Sequence, residues 1–263
     1  MNRIDGKFEE LKKNGKKAFI AFIEAGDPSL EITGELVLAL EESGVDIIEL
    51  GIPFSDPMAD GVVNQKAADR ALKGGTTLKK IVSAVERIRQ KTNIPIVLFT
   101  YLNPVFKYGW DKFVKDIKNA GIDGVLVLDL PVEESKAERA LLLEKGIKII
   151  YLLAPTSTDD RVKLVCDNAS GFIYYVSRTG VTGQKESVEQ SVKPSVEKIK
   201  KYTDVPVAVG FGVSRPEHVK EIGKYADGVV VGSAIVSKVE ENIGKSGLVS
   251  NVSRFVKTLT NVL

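Results

Sequence analysis

Two carboxylates eleven residues apart are the first groups in this sequence that could do chemistry. Residues 48–61 read IELGIPFSDPMADG, which puts Glu49 inside an apolar run and Asp60 in the Pro- and Gly-rich segment that follows. A carboxyl among apolar neighbours loses hydration, so its proton affinity rises, and this suits a group that carries protons at neutral pH. The alternatives at Glu49 are an outward residue that contacts a helix and a paired structural acid. The alternative at Asp60 is a turn-forming acid, because Asp before Gly is typical of turns.

Glycines at the ends of apolar runs indicate a site for an anion. They occur in VGFGVS (209–214) and VVGSAIV (230–236), where Gly212, Gly232 and Ser233 could offer backbone N–H groups. We expect Ser233 to begin a short helix, whose N-terminus favours a phosphate. A third segment, SRTGVTGQ (177–184), has two more glycines and could close over a ligand. The alternative is that these glycines only end strands.

The elements that must position these groups alternate regularly between two patterns. Apolar runs typical of strands lie at 18–25, 46–50, 94–102, 124–130, 147–155, 171–177, 205–210 and 227–233. Helical patterns lie at 30–42, 62–90, 110–120, 133–145, 159–168, 188–201, 215–224 and 248–263. Eight such units predict an α/β fold, a (β/α)₈ TIM barrel with an extra N-terminal helix, as a single domain over residues 1–263. An open doubly wound sheet is the alternative, and the lack of a Gly-rich dinucleotide fingerprint disfavours it. The carboxyl ends of the strands and the loops that follow them form one rim of a barrel, so we expect Glu49 and Asp60 to lie at the same rim.

Composition narrows the class of partner. The net charge is +2 over 263 residues, with the basic residues spread along the chain, so nothing indicates a nucleic acid or a membrane as partner. No apolar run approaches the roughly 18 residues of a membrane span. The single cysteine, Cys166, cannot form an internal disulfide, which favours a cytoplasmic location. One cysteine and one histidine cannot make a zinc site, so we expect no metal. The histidine, His218, lies in a helical pattern, which disfavours a Ser-His-Asp triad.

Taken together, the motifs closely resemble the tryptophan synthase alpha subunit family. The stretches that carry the resemblance are FIEAGDPS, IELGIPFSDPMADGVVNQ, TYLNPVFKYG, GVLVLDLPVEES, YLLAPTS, SRTGVTG, VGFGVS and VVGSAIV. The resemblance implies a (β/α)₈ barrel that cleaves indole-3-glycerol phosphate to indole and glyceraldehyde 3-phosphate. It also implies a beta-subunit partner, in an α2β2 heterotetramer, that joins indole to serine. The pyridoxal phosphate of that second reaction is expected in the beta partner, with no cofactor in this chain.

The chemistry of this retro-aldol cleavage gives the two carboxylates distinct roles. Indole carbon 3 must be protonated, which leaves positive charge on the ring nitrogen, and a carboxylate at the ring N–H would stabilise it. The resemblance assigns that role to Asp60. A glycerol hydroxyl must lose its proton to become an aldehyde, and the resemblance assigns both proton movements to Glu49.

The resemblance implies further site residues. It makes Tyr174 the active-site tyrosine, places Phe22 and Phe99 around the indole, and gives Asp129 and Thr182 supporting positions. The phosphate-binding positions are Gly183, Gly212, Gly232 and Ser233, and the segments facing the beta subunit contain Asp56, Pro57 and Asn103.

Two features depart from the family pattern. Glu24 stands where the family commonly has a small or hydroxyl residue, and a third acid there could perturb the pKa of Glu49 by like-charge repulsion. Phe172 and Tyr175 also differ from the common aromatic pattern. Strand alternation puts Tyr174 on the same face as Phe172 and puts Tyr175 on the opposite face, which favours Tyr174 as the inward tyrosine.

Three other functions remain as alternatives. One is a free-standing lyase that releases indole, and another is a weakly catalytic subunit that mainly activates its partner. Intact Glu49 and Asp60 disfavour the weakly catalytic subunit. The third is another phosphate-binding barrel enzyme, such as a sugar-phosphate isomerase, which would not need the LGIPFSDPMADG segment.

Overall fold

Nine parallel strand segments form a nearly closed barrel in the computed structural model, which describes residues 1–177, 188–210 and 212–263. The segments are β1 (Ala18–Glu24), β2 (Ile47–Gly51), β3 (Ile96–Thr100), β4 (Gly124–Val127), β5 (Lys148–Ile149), β6 (Tyr151–Leu153), β7 (Ile173–Val176), β8 (Val207–Gly210) and β9 (Gly228–Val231). The hydrogen-bonded order is β5-β4-β3-β2-β1-β9-β8-β7-β6. Because β5 and β6 are separated by Ile150 alone, they are two halves of the fifth predicted strand. That strand pairs with β4 through its first half and with β7 through its second, which brings the two ends of the sheet together.

Helices cover the outside of the barrel. Those that the structure describes are α1 (Arg3–Lys13), α2 (Leu30–Glu42), α3 (Val62–Lys73), α4 (Leu78–Arg89), α5 (Leu102–Tyr108), α6 (Trp110–Asn119), α7 (Lys136–Glu144), α8 (Asp159–Asn168), α9 (Val188–Ile199), α10 (Pro216–Gly223), α11 (Ser233–Glu240) and α12 (Leu248–Thr260). Within the described part of the chain, none of these is long and apolar enough to span a membrane.

Side chains alternate between the two faces of each strand, as the pleat requires. On β1, Phe19 and Ile23 pack outward against the helices, whereas Ile20 belongs to the cluster inside the barrel. Both faces are apolar, which explains why the strands are continuous apolar runs and not alternating ones. Polar groups on the inner face are therefore few, and those that occur are candidates for function.

The N-terminal helix α1 packs against the bottom of the barrel. Its buried residues Ile4, Phe8 and Leu11 join the inner apolar cluster. Asn2 caps the helix by accepting a hydrogen bond from the backbone N–H of Ile4, at 2.9 Å. The opposite rim, at the carboxyl ends of the strands, is where barrels of this kind place their active sites.

The predicted barrel and its extra N-terminal helix are confirmed, with two corrections to the helices. The pattern over 62–90 is two helices, because Gly74 ends α3, Gly75 has a left-handed φ of 75°, and Thr77 caps α4. The helix α5 was not predicted, since its segment was assigned to the third strand and the loop after it. The single-domain organisation over 1–263 stays a prediction.

Candidate active site

Glu49 lies on the inner face of β2. It is in register with Phe22 on β1 and Val97 on β3, and only 1% of it is exposed. Its Oε1 atom has no hydrogen-bond partner within the part of the chain that the structure describes. Burial raises the pKa of this carboxyl to about 8. A group with this pKa exchanges its proton readily near neutral pH.

Tyr174 lies on the inner face of β7 and approaches Glu49. It belongs to the inner cluster with Phe172, whereas Tyr175 packs outward, as strand alternation predicted. Burial, followed by the charge of Glu49, raises the pKa of the Tyr174 phenol. The hydroxyl leans over Gly210, where a β-carbon would collide with it. A glycine is thus required next to this tyrosine.

Asp60 lies in the loop between β2 and α3 and is held by a tyrosine that directly follows β3. The Tyr101 hydroxyl donates a hydrogen bond to Asp60 Oδ2 at 2.7 Å and accepts one from the backbone N–H of Ala59 at 3.0 Å. Burial, and then the hydrogen bond to Asp60, raise the pKa of this phenol, which therefore stays a donor at neutral pH. Sequence reasoning missed Tyr101. The only available signal was its place at the end of a predicted strand, in the family-like stretch TYLNP.

Two aromatic rings form an apolar cleft at the same rim. Phe22 and Phe99 are 5.2 Å apart between ring centroids, at an interplanar angle of 74°. They pack with Ala67 from α3 and Val236 from α11. Phe22 pairs directly with Glu49, so this cleft lies next to the buried acid. A flat aromatic ligand would find apolar surface here and a carboxyl beside it.

Glu24 is also inside this rim, but its charge coupling differs from the prediction. Burial raises its pKa well above the ordinary value, and the charges of Asp60 and then Asp27 add to this. Burial alone accounts for the raised pKa of Glu49. The charges that add to the raised pKa of Glu24 are therefore those of Asp60 and Asp27, and not that of Glu49.

An ion pair fixes the loop that follows β1. Arg70 on α3 binds Asp27 through two hydrogen bonds of 2.8 Å, and a third, of 2.9 Å, reaches Glu240. Asp27 is 2% exposed, so its charge is compensated inside the protein. The pair ties the β1 rim to α3, the helix that follows the Asp60 loop. Sequence reasoning did not identify this pair either.

The predicted anion site is formed by the ends of β8 and β9. Gly212 has a φ of 74°, a conformation that favours glycine, and Gly232 is the N-cap residue of α11. This helix begins at Ser233 as predicted, and no side chain of the described residues caps it. The first N–H groups of a helix have no partner within it, so those of Ser233 and Ala234 can donate to an anion.

The remaining predicted residues lie in three different settings. Asp129 is exposed and accepts a hydrogen bond from the backbone N–H of Leu102 at 2.6 Å, which holds the start of α5. Asp56 and Asn103 are exposed on the rim, and Pro57 is partly so. The predicted Thr182 and Gly183 lie outside the described residues.

Across the described ranges, no group of three or more His, Cys, Asp or Glu side chains is arranged to hold a metal.

Comparison with known proteins identifies the family. A family model described as tryptophan synthase alpha chain matches residues 8–262. The chain belongs to the tryptophan synthase alpha chain family. The tryptophan synthase alpha chain of Thermoanaerobacter sp. (strain X514) is 48% identical over 263 residues, covering all of both chains. That of Geotalea daltonii is 51% identical over 259 residues, covering 98% of each. The crystal structure of tryptophan synthase subunit alpha from Legionella pneumophila matches at a TM-score of 0.92 and 35% identity, over 100% of this chain and 98% of that one.

Membership of the tryptophan synthase alpha chain family also gives the reaction. The chain is a carbon–carbon lyase of tryptophan biosynthesis that acts on indole-3-glycerol phosphate, and an alpha chain implies a beta-subunit partner. The predicted family, barrel and lyase function are therefore confirmed. The roles of individual residues stay predictions.

Proposed function

We propose that the lyase reaction is divided between Glu49, which carries the protons, and Asp60, which stabilises the charge on the indole ring. The observation that carries this proposal is the burial of Glu49, which is 1% exposed and lies directly beside Phe22; burial raises its pKa to about 8. Near pH 7 about nine-tenths of such a group is protonated, so the acid form is ready before the substrate arrives. The protein needs no other proton donor at this position.

Glu49 performs both proton transfers of the cycle. In its acid form it donates a proton to carbon 3 of the indole ring, and the ring takes positive charge at nitrogen. The bond between carbon 3 and the glycerol carbon then breaks, and its electrons restore the aromatic ring. The adjacent hydroxyl becomes the aldehyde and returns its proton to the Glu49 carboxylate, which regenerates the acid. No net proton is consumed.

Asp60 accepts a hydrogen bond from the ring N–H and stabilises the positive charge that develops there. A carboxylate already fixed by the Tyr101 hydroxyl at 2.7 Å does not have to reorganise during the reaction, so it favours the charged transition state over the neutral substrate. Phe22 and Phe99 hold the ring between the two acids, consistent with their edge-to-face packing.

The other site residues position the substrate. Tyr174, buried near Glu49, orients the carboxyl and the reacting hydroxyl. The N-terminus of α11, with Gly212, Gly232 and Ser233, binds the phosphate. We keep Thr182 and Gly183 as predicted members of the closing loop and of the phosphate site. Asp129 acts indirectly, because it holds the start of α5 next to Tyr101, which in turn binds Asp60.

The rim around the site is the surface on which we propose that the beta subunit docks. Exposed apolar side chains support this, because Met58 is 91% exposed and Phe106 is 72% exposed, next to the predicted contact residues Asp56, Pro57 and Asn103. Large apolar side chains in water are typical of a protein interface. We further propose an α2β2 heterotetramer, with pyridoxal phosphate in the beta subunit and a cytoplasmic location.

The test is indole release from indole-3-glycerol phosphate by the chain alone and with a tryptophan synthase beta subunit. We expect slow release that rises sharply with the partner. Fast release that the partner does not change would favour a free-standing lyase. Asp60→Asn and Glu49→Gln should both lose most turnover while still binding a phosphate-bearing substrate analogue, and a parent rate in either would contradict the role given to that carboxyl.

A further inference from the structure

Arg70 joins three elements of the barrel through one guanidinium, and the proposed mechanism gives it no role. Its Nε and Nη2 atoms donate to the two carboxylate oxygens of Asp27, each at 2.8 Å, and its Nη1 atom donates to Glu240 Oε1 at 2.9 Å. Asp27 lies in the loop after β1, Arg70 in the last turn of α3, and Glu240 is the last residue of α11. Because a guanidinium holds its donors in a rigid fork, these bonds fix the orientation of the elements as well as their distance.

The helices α3 and α11 also pack together between their ends. Ala67 of α3 and Val236 of α11 are both buried, and they form one cluster with Phe22, a ring of the apolar cleft. A side chain as small as alanine lets two helices approach closely. The cleft is therefore lined from behind by the same two helices that Arg70 ties together.

The starts of these two helices carry the groups proposed to bind the two halves of the substrate. The loop before α3 contains Asp60, and the first turn of α3 holds that loop, since the Gln65 amide donates to the Asp60 carbonyl oxygen at 2.9 Å. The start of α11, at Ser233, is the proposed phosphate site. At 1.5 Å per residue, Arg70 lies about 12 Å from the start of α3, and Glu240 lies about 10 Å from the start of α11. The ion pair thus ties the two helices at the ends that face away from the substrate.

We propose that the Arg70–Glu240 ion pair is a positioning contact that sets the distance between the phosphate site and Asp60. The proposal rests on the function proposed above, which puts the phosphate at Ser233 and the indole N–H at Asp60. Helices that are tied at their last turns and packed in their middles keep their starts at one separation. Without the tie, α11 can pivot on the packed middle. The ring and the phosphate of the substrate belong to one molecule, so a site with both ends preset binds it with less loss of freedom.

Glu240 can be replaced while the rest of the ion pair stays in place. Arg70 is unsuitable for this test, because Asp27 is 2% exposed and would lose the cation that compensates its charge. The Glu240 side chain is 39% exposed, and ion pairs this accessible to water contribute little to stability. Glu240→Ala should therefore release α11 from Arg70 with little change in the urea midpoint. Glu241→Ala is the matched control, since the neighbouring Glu241 forms its ion pair with Lys238, on α11 itself.

Binding of two fragments and of one joined ligand to the full-length chain separates positioning from a structural role. The fragments are indole and glycerol 3-phosphate, and the joined ligand is an indole with a propyl phosphate chain at carbon 3, which has no hydroxyl to react. In Glu240→Ala each fragment should bind within about twofold of its parent affinity, because each binding surface is unchanged. The joined ligand should bind about 10-fold more weakly, because its two ends no longer meet preset sites. Glu240→Gln keeps an acceptor for Arg70 and should stay within about threefold, and Glu241→Ala should match the parent.

Kinetics give a second readout. Glu240→Ala should raise the KM for indole-3-glycerol phosphate about 10-fold and keep kcat within about threefold, because the contacts of Glu49 and Asp60 are not altered. Parent affinity for the joined ligand in Glu240→Ala would overturn the proposal. A fragment that loses as much affinity as the joined ligand, or a clearly lower urea midpoint, would overturn it too, since the ion pair would then only support the fold. Fragments that do not compete with the joined ligand in the parent would instead show that the proposed binding sites are wrong.

Discussion

Replacing Glu49 by glutamine should change activity and stability in opposite directions. Glutamine keeps the shape of the side chain and cannot carry a proton. Since one positioned acid or base contributes roughly 10²–10⁴-fold to a rate, turnover of indole-3-glycerol phosphate should fall by about that factor. Substrate binding should persist, because the Phe22–Phe99 cleft and the α11 N-terminus are not altered.

The gain in stability follows from the raised pKa of Glu49. In the unfolded chain this acid ionises near its ordinary value of 4.5, whereas in the folded chain it keeps its proton until about pH 8. The part of the unfolding free energy that depends on protonated Glu49 is therefore fully present below pH 4.5 and is lost as the pH rises to 8. Each pH unit well inside this window costs about 1.4 kcal/mol, and the slope is smaller near its two ends. Between pH 5 and pH 8 the parent should therefore lose about 3.5 kcal/mol relative to Glu49→Gln.

Urea unfolding of both proteins at several pH values measures this difference. Burying the amide of the glutamine variant has its own fixed cost, but that cost is the same at each pH and cancels in the trend. Glu217→Gln, at an exposed position of α10, is the control for losing one negative charge. A difference between Glu49→Gln and the parent that stays constant from pH 5 to pH 8 would refute the reasoning, whatever happens to the rate.

Three further predictions concern the Tyr101 hydrogen bond, the Asp27–Arg70 ion pair and the proposed subunit interface. Tyr101→Phe removes the hydrogen bond to Asp60 and should lower kcat/KM about 10-fold with little change in the urea midpoint; an unchanged rate would mean that Asp60 is positioned by other groups. Arg70→Met leaves the Asp27 carboxylate buried without its cation and should destabilise the fold by about 3 kcal/mol in urea unfolding, whereas a change below about 1 kcal/mol would contradict the importance of this pair. Phe106→Ala should weaken binding of the beta subunit at least 10-fold by calorimetry and leave the indole release of the isolated chain at the parent rate, and equal affinity would place the interface elsewhere.

The amino-acid pattern alone was enough to predict the barrel and the inward tyrosine of the strand that contains Tyr174. Eight continuous apolar runs need cover on both sides, and a parallel barrel wrapped by helices provides it. A period of two residues separates the two faces of a strand, so Tyr174 could be placed inside and Tyr175 outside before any coordinates, whereas an outward Glu49 stayed an alternative. The sequence also predicted the helix that begins at Ser233, although the Gly74-Gly75 break in the second predicted helix was missed.

The packing of the folded chain determines which polar groups meet at the rim. Asp60 is held by Tyr101 and Asp27 by Arg70, and the members of each pair lie on different strands, loops or helices. The residues next to a side chain in the sequence indicate which face of the strand it lies on. They do not indicate how far it lies from the loop that follows the neighbouring strand. The closure of the barrel sets those distances, and the packing around them sets the burial that raises the pKa of Glu49 and Glu24. The sequence therefore identified Glu49 and Glu24 as acids near the site, and the fold determined the burial that raises the pKa of each.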